Sequence, residues 1–456
     1  VHGYLYLTLQ LLRGRPVGPF IRRLQAWERL DRPAFQRLVS GRLEDTLRYA
    51  RERVPLYSSG PWREAFAHAD PTDIHSWPVL ERRMLKTHAA DLLARAVIPG
   101  LFYRQSSAST GEPVRVALNP HAAGWSWANE YRAMLWHGIR PGIKTLMLWG
   151  HNNPVLDWVR NRKTFLTTNF TPALLEEVGR TLLQQRPTLC WGHPSAVAQL
   201  ARYMRASYPA APRPLVPYAK VGGEQLFPFE REEIEQALGA RVIESYGCTE
   251  VGAIAAECPA GSLHVFAEHV HVEIFRDEEP AAPGEFGDIV ATSLTNRAMP
   301  LVRCRIGDRG RLSLEPCPCG LPHPVLRNLE GRATDFFLAA DGGRVHGSVL
   351  AHSLKPVLTG ALWDALHQVL FQQMDQHSWQ VFVESGNGFH ETHAAQLSAI
   401  VRQVFGENTR VEVRRVPVIP RERSGKFRYY RLTRDQGAAK QPDGQVAGNE
   451  AAASKE

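Results

Sequence analysis

Cysteine is scarce in this chain: six in 456 residues, two of them in a Cys-x-Cys. That is no disulfide framework of the kind small secreted domains need, so a reducing compartment, the cytoplasm, is expected. The apolar stretch Leu5–Leu12 is far shorter than the ~20 residues of a membrane span and follows no positively charged region. It reads as neither signal peptide nor anchor and is expected to pack against the body. Arg13, Arg15, Arg22 and Arg23 behind it leave only a weak membrane-surface contact open, and no stable insertion is expected. Also missing are internal repeats at solenoid periods and any run of interleaved basic and aromatic residues. The formal charge of +8 comes mostly from scattered Arg. A solvated basic surface or a phosphate-rich small ligand accounts for it, and no nucleic-acid partner is expected.

What is present suits a globular protein, with 44% hydrophobic and 22% charged residues. Single cores stop growing near ~250–300 residues, so this length predicts two unequal domains. Helical spacing of Leu24, Trp27, Leu30, Phe35, Leu38, Leu43 and Leu47, interrupted at Asp31-Arg-Pro33, predicts a helical wrap over residues 1–60. From about 97 to 330, strand candidates at 145–149, 220–221, 241–244 and 288–293 alternate with helices at 121–136, 173–185, 195–206 and 228–238. That alternation predicts an α/β class, a large N-terminal domain (1–330) of layered sheets and helices. Beyond Gly331 the pattern becomes a small α+β unit (331–436): strand-like runs at 363–371, 380–384 and 409–416 and a helix at 392–405. Residues 437–456 hold almost no large apolar side chain and read as a disordered tail.

Three segments carry chemistry. Ser106-Ser107-Ala108-Ser109-Thr110-Gly111 is a run of small hydroxyl residues whose backbone N–H groups and hydroxyls can surround a triphosphate, although such runs also serve as plain flexible loops. In Glu244-Ser245-Tyr246-Gly247-Cys248-Thr249-Glu250 a ring before a glycine can lie on a base, and Thr and Glu can reach a phosphate oxygen and its Mg²⁺. A strand-to-loop turn with a surface Glu is the alternative. In Arg303-Cys304-Arg305-Ile306-Gly307-Asp308 a carboxylate beyond a tight Gly turn can hold two ribose hydroxyls, or form a salt-bridged turn.

In this order the three segments resemble the motifs of the adenylate-forming superfamily of acyl-CoA synthetases. Further matches are Gly222-Gly223-Glu224-Gln225-Leu226, Gly284-Glu285-x-Gly287-Asp288, Gly331-Arg332-x-x-Asp335 and Arg423-Ser424-Gly425-Lys426. The chain looks most like the phenylacetate-CoA ligase branch, including its capsule and polysaccharide-associated relatives, over about residues 25–432. The resemblance implies that a small-molecule carboxylic acid attacks the α-phosphate of ATP, releasing pyrophosphate, and that a thiol, with coenzyme A the first expectation, displaces AMP. An amine, hydroxyl or carrier protein is the alternative acceptor, and a nucleotide-binding pseudoenzyme a third reading. It further implies Lys426, Thr249 and Glu250 as catalytic residues, with Mg²⁺ on Glu250, and Tyr246 and Gly247 against adenine beside Gly223 and Glu224. Asp308 and Arg332 would take the ribose, Ser106, Ser107, Ser109, Thr110 and Gly111 the phosphates, and Asp335 the hinge of a mobile lid. The branch would place its acyl pocket near Trp149, His151, Trp191, His193 and Ser195, whose rings suit an aryl or other bulky acid. Two departures stand in the phosphate loop, Ala108 for the usual Gly and Glu112 for the usual Lys. A third is Asp341–Gly347, in place of the usual loop after the hinge.

Cys258-x5-His264 and Cys317-x-Cys319 offer three thiols and an imidazole, the ligand set of a closed structural Zn²⁺ site, with His269, His271 and His323 in reserve. Separate residues, with the cysteines acting as small buried hydrophobes, is the alternative. A homodimer is the default expectation for assembly.

Overall fold

The computed structural model describes residues 1–67, 70–106, 113–276, 278–332, 336–354, 362 and 365–433. The expected phosphate-loop residues Ser107, Ser109, Thr110 and Gly111, the hinge residue Asp335 and the 437–456 tail lie outside the described residues.

Three helices open the chain, α1 (His2–Leu12), α2 (Val17–Trp27) and α3 (Arg32–Arg53). The Asp31-Arg-Pro33 interruption is the start of α3. Asp31 caps it by accepting from the Ala34 amide at 2.7 Å, and Pro33 stands in its first turn, where a missing N–H costs nothing. Two short helices, α4 (Gly60–Ala65) and α5 (Met84–Thr87), and a small hairpin, β1 (Phe102–Gln105) with β2 (Arg115–Leu118), follow.

The body then alternates α6 (Pro120–Trp136), β3 (Thr145–Trp149), α7 (Pro154–Val159), β4 (Arg162–Leu166), α8 (Pro172–Gln185), β5 (Leu189–Gly192), α9 (Pro194–Ser207), β6 (Tyr218–Gly222), α10 (Pro228–Leu238) and β7 (Arg241–Cys248). Thereafter the chain is almost all strand: β8 (Gly252–Glu257), β9 (Leu263–Val265), β10 (Val270–Arg276), β11 (Glu279–Pro280), β12 (Phe286–Ser293), β13 (Cys304–Ser313) and β14 (Val325–Arg332). All but β1 and β2 form one twelve-stranded sheet in the order β11-β10-β12-β13-β14-β9-β8-β7-β6-β5-β3-β4.

The two halves of this sheet differ in hand. β4, β3, β5, β6 and β7 are parallel, and the strands beyond β7 are antiparallel. β7 is the switch, pairing parallel with β6 through Ser245 and antiparallel with β8 from Ser245 to Cys248. Open α/β sheets bind ligands beyond the carboxyl ends of their strands at such a reversal. Past the bend at Arg303 the 304–308 segment, read above as a tight turn, is strand: its left-handed Gly307 (φ 89°) and a register shift after Asp308 bend β13 without ending it.

Past β14 come a hairpin of β15 (Phe336–Leu338) and β16 (Arg344–His346), then α11 (Gly347–Ser353). A second sheet follows, β19-β18-β17-β20, made of β17 (Leu366–Asp375), β18 (Ser378–Ser385), β19 (Arg410–Arg415) and β20 (Tyr430–Leu432). α12 (Glu391–Phe405) bridges β18 to β19. Leu397, Ile400, Val401 and Phe405 of α12 close this sheet's own apolar core with Trp379, Val381 and Phe371. Two rings from elsewhere, Phe227 and Phe229 at the start of α10, are members of that core. Among the described residues no helix is long and apolar enough to cross a membrane.

Candidate active site and metal centre

A cavity of about 220 Å³ opens where the large sheet changes hand and the C-terminal segment 422–430 leans over it. Its lining includes Ser106, Gly223, Glu224, Tyr246, Gly247, Thr249, Glu250, Asp308 and Lys426, so residues spread over three hundred positions of sequence share one wall.

β7 builds the centre. Gly247 sits at a register shift against β8, where an added Cβ would stand 2.6 Å from the Gly252 carbonyl oxygen, so only glycine lets the strands close there. Tyr246 donates its hydroxyl to Asp308 Oδ2 at 2.7 Å. Withdrawal from water and the facing Asp308 carboxylate hold that phenol well above its ordinary range. Asp308 is also opposite Arg332 in the β13–β14 ladder, which brings the Arg332 backbone beside it. At the turn after β7, Glu250 is 4% exposed and its Oε1 lies 3.1 Å from Arg82 Nε. Its carboxylate, part of the cavity lining, suits a hard divalent cation such as Mg²⁺.

Arg82, which the sequence reading missed, lines the cavity. It is delivered by a backbone clasp: the Leu80 amide donates to Arg303 O (2.9 Å) and the Arg305 amide to Leu80 O (3.1 Å). Nothing local in Glu81-Arg82-Arg83 marks it out, because its role arises from a contact more than 150 residues away. Tyr429 and Arg428 from the C-terminal segment were missed as well, and Glu244 and Ser245, which open the 244–250 segment without a role assigned to them, also line the cavity at the carboxyl end of β7's parallel half. Burial raises the Glu244 carboxyl to about 7 against the pull of Arg231. Ser106, on the cavity wall, donates its amide to Val114 O at 2.9 Å, and the Val114 amide donates to Ser106 Oγ at 2.9 Å.

Segment 422–430 is held by charge as well as by backbone. A turn closes through the Gly425 amide to Glu422 O (2.8 Å) and the Glu422 amide to Lys426 O (2.9 Å). Glu224 accepts from the Phe427 amide at 2.6 Å with one oxygen and from the Ser195 amide at 3.2 Å with the other. The half-buried Arg421 donates to Ser195 Oγ (2.7 Å) and Gln199 Oε1 (2.9 Å). Deeper in, Glu230 accepts from Tyr429 Oη (2.8 Å) and the Phe227 amide (3.0 Å), and burial pushes its carboxyl up to about 8.

The residues expected around an acyl pocket lie outside the lining of this cavity. Trp149 and His193 stack at 4.0 Å, and His193 Nε2 lies 3.2 Å from Ser424 O. Burial and the nearby Lys426 hold that imidazole below its ordinary range, so the neutral ring donates to Ser424 O or to Gly222 O in turn. Next to it, a Cβ on Gly150 would sit 2.1 Å from Ser424 O, so the two backbones touch directly. Trp149, His193 and Ser195 form the platform on which 424–427 rests, and His151 is exposed beside it. None of the four is among the cavity's lining residues.

A second cluster lies away from the cavity. The ligand atoms of Cys258, His264, Cys317 and Cys319 all fall within 4.8 Å of one another. Cys258 Sγ is 3.9 Å from Cys317 Sγ, and Cys319 Sγ is 3.2 Å from His264 Nε2. Ligand atoms about 2.0–2.3 Å from a tetrahedral Zn²⁺ stand roughly 3.3–3.8 Å apart, so the donor set fits that ion. His264 Nδ1 is 3.1 Å from His323 O, an outer contact that turns Nε2 toward the thiols. The reserve residues take other roles. His323 packs on Phe35 and faces Glu268, and His269, lowered to about 3 by burial, pairs with Thr295 Oγ1 at 2.8 Å.

No protein-family model matches the chain. It is 25% identical to the phenylacetate-coenzyme A ligase of Thermus thermophilus over 342 residues, 68% of this chain and 73% of that enzyme. It is 25% identical to the Escherichia coli phenylacetate-coenzyme A ligase over 61% of this chain and 67% of that one. In fold it resembles 2-hydroxyisobutyryl-CoA ligase in the postadenylation state with a bound acyl-AMP, with a TM-score of 0.71 at 20% identity, over 90% of this chain and 92% of that one. The chain is thus similar to the phenylacetate-CoA ligase branch of the adenylate-forming superfamily. These relatives and neighbours indicate an AMP-forming acid–CoA ligase, and the mixed α/β fold is the one expected from the sequence.

Proposed function

We propose that this phenylacetate-CoA ligase-like chain activates a bulky carboxylic acid as its acyl-adenylate at the β7 cavity and passes the acyl group to coenzyme A. The observation that carries the reading is the single cavity shared by Tyr246–Glu250, Asp308 and Lys426. Asp308 would accept both ribose hydroxyls, beside the Arg332 backbone, while the Tyr246 ring, steadied by its bond to Asp308, offers a face to adenine. Lys426 would stand between the carboxylate and the α-phosphate, where its ammonium favours the charge that develops as the carboxylate oxygen bonds to phosphorus and pyrophosphate departs. Glu250 and Thr249 would hold Mg²⁺, whose charge, when bound, offsets that of the phosphates. Arg82 would take the phosphates from the other side, supplying the positive charge that Glu112 removes from the loop.

Residues 1–330 then act as the nucleotide-binding domain and 331–436 as a lid swinging about Asp335, with the 422–430 contacts holding the arrangement used for adenylation. The Cys258–His264–Cys317–Cys319 cluster would hold a Zn²⁺ with no open position, a brace rather than a reagent. The cytoplasm fits this use of ATP and coenzyme A.

The test is carboxylate-dependent pyrophosphate release with ATP and Mg²⁺ across aryl, hydroxylated and aliphatic acids, with and without coenzyme A. Acid-dependent release further stimulated by coenzyme A supports the whole reading. Release stimulated instead by an amine, hydroxyl or carrier protein moves the acceptor, and ATP binding without release with any acid points to the nucleotide-binding pseudoenzyme.

A further inference from the structure

α1 carries no charged side chain and only two polar ones besides His2: its residues read HGYLYLTLQLL. A helix apolar all round belongs in a core or a membrane, yet only Tyr6 and Gln10 are fully buried. The expected packing against the body therefore accounts for one side alone. Tyr4, Leu5, Thr8, Leu11 and Leu12, the i, i+1, i+4, i+7, i+8 stripe, face solvent, with Tyr4 83% and Leu12 80% exposed. The stripe continues onto neighbouring elements. At the start of α1, His2 meets Trp158 of α7, edge to face at 6.0 Å, and Trp158 and Val155 there are each 66% exposed. At its end, Gly14 and Gly100 both lie against Pro120, next to the exposed Leu101. Contiguous apolar surface of this kind marks an interaction site.

The charge around it is mostly of one sign. Residues 1–27 hold four Arg (13, 15, 22, 23) and no Asp or Glu, and among the described residues from 92 to 156 the one acid, Glu130, is paired with Lys220 at 2.5 Å. The first acid after that, Asp157, is spent on Arg162 at 2.7 Å. Arg13, Arg22 and Arg23 are exposed and, among the described residues, form no salt bridge. A second copy of the chain fits poorly here. In a two-fold contact the same patch meets itself, so these arginines would face their own counterparts with no carboxylate between them. An apolar helix stripe rimmed by arginine suits a sheet of anionic headgroups over hydrocarbon.

We propose that α1 and the exposed tip of α7 form a peripheral docking surface for an anionic phospholipid bilayer. α1 lies in the interface plane and Arg13, Arg22 and Arg23 reach the headgroups. This surface stands apart from the β7 cavity and is independent of the proposed reaction. The enzyme would thereby work on or deliver its product at a membrane face.

The experiment is co-sedimentation of the full chain with vesicles of phosphatidylcholine alone and of phosphatidylcholine mixed with phosphatidylglycerol. The expected result is about tenfold or greater preference for the anionic vesicles, falling steadily as salt is raised. A Leu11→Glu/Leu12→Glu variant should lose the binding, and Leu314→Glu, at an exposed position outside the patch, should keep it. Both variants should melt with the wild type, since each changed side chain is already in water. Binding that is absent, equal on both vesicles, or unchanged in the double variant overturns the proposal. So does a concentration-dependent rise in mass without lipid that the double variant abolishes, which would assign the stripe to a second copy of the chain.

Discussion

The β7 cavity and the Cys/His cluster are both made of side chains drawn from separate strands, but they are closed in opposite ways. The cluster gathers its four ligand atoms within 4.8 Å from the end of β8, from β9 and from the link between β13 and β14, all on the large sheet, and faces inward. The cavity gathers its residues from positions 82 to 430, across two sheets, and stays open. A closed donor set resists change and braces whatever carries it, whereas an open one split between two bodies can be taken apart and rebuilt during a reaction. The difference teaches which loss should show in rate and which in melting.

The comparison breaks first at Lys426. Lys426→Ala should lower acid-dependent pyrophosphate release by about 10²–10³-fold while ATP still binds, as expected for a group acting mainly in the transition state. Unchanged release would remove it from the chemistry. Arg82→Ala should raise the KM for ATP about tenfold or more and leave AMP binding alone, with Arg82→Lys recovering part of the loss. Equal weakening toward AMP would instead make Arg82 a structural partner of Glu250.

On the other side, Cys319→Ser, or zinc removal by a chelator, should lower the melting temperature by about 5 °C or more, with the KM for ATP at low temperature little changed. Metal analysis of the purified wild type should find one zinc per chain, and its absence from protein made in zinc-replete medium would make the four residues mere neighbours.

The smallest effect concerns Glu230, whose carboxyl is raised to about 8 by burial from an ordinary value of 4.5. Between those values the folded protein binds a proton that the unfolded chain has released, so this group makes stability fall as pH rises through that window. Glu230→Gln keeps an acceptor for Tyr429 and removes the titration. Its melting temperature should decline less than the wild type's from pH 5 to pH 8, as read by thermal melts at matched ionic strength.

In the parallel half of the large sheet β3, β6 and β7 were legible in the sequence because they alternate with helices of clear period, and the 228–238 helix falls where the spacing places it, whereas the short β4 and β5 were not read. The antiparallel half was largely not. β8, β9, β10, β13 and β14 are joined by short links, and their pairing depends on partners dozens of residues off, as Val325 with His264. The site divides on the same principle. Tyr246, Thr249, Glu250, Asp308 and Lys426 announce themselves within short motifs. Arg82 depends on the Leu80–Arg303 clasp, and the platform of Trp149, His193 and Ser195 on a backbone contact at Gly150 that no single segment encodes.

Phe227 and Phe229 belong to the apolar core of a sheet that begins more than a hundred residues later. Modularity in this chain is therefore not where the covalent thread passes from one sheet to the next. A chimera that grafts a relative's C-terminal portion at residue 331 would pair foreign side chains with these two rings and with Glu230, and should come out loosely seated. Grafting residues 226–230 along with it keeps the joint native on both faces.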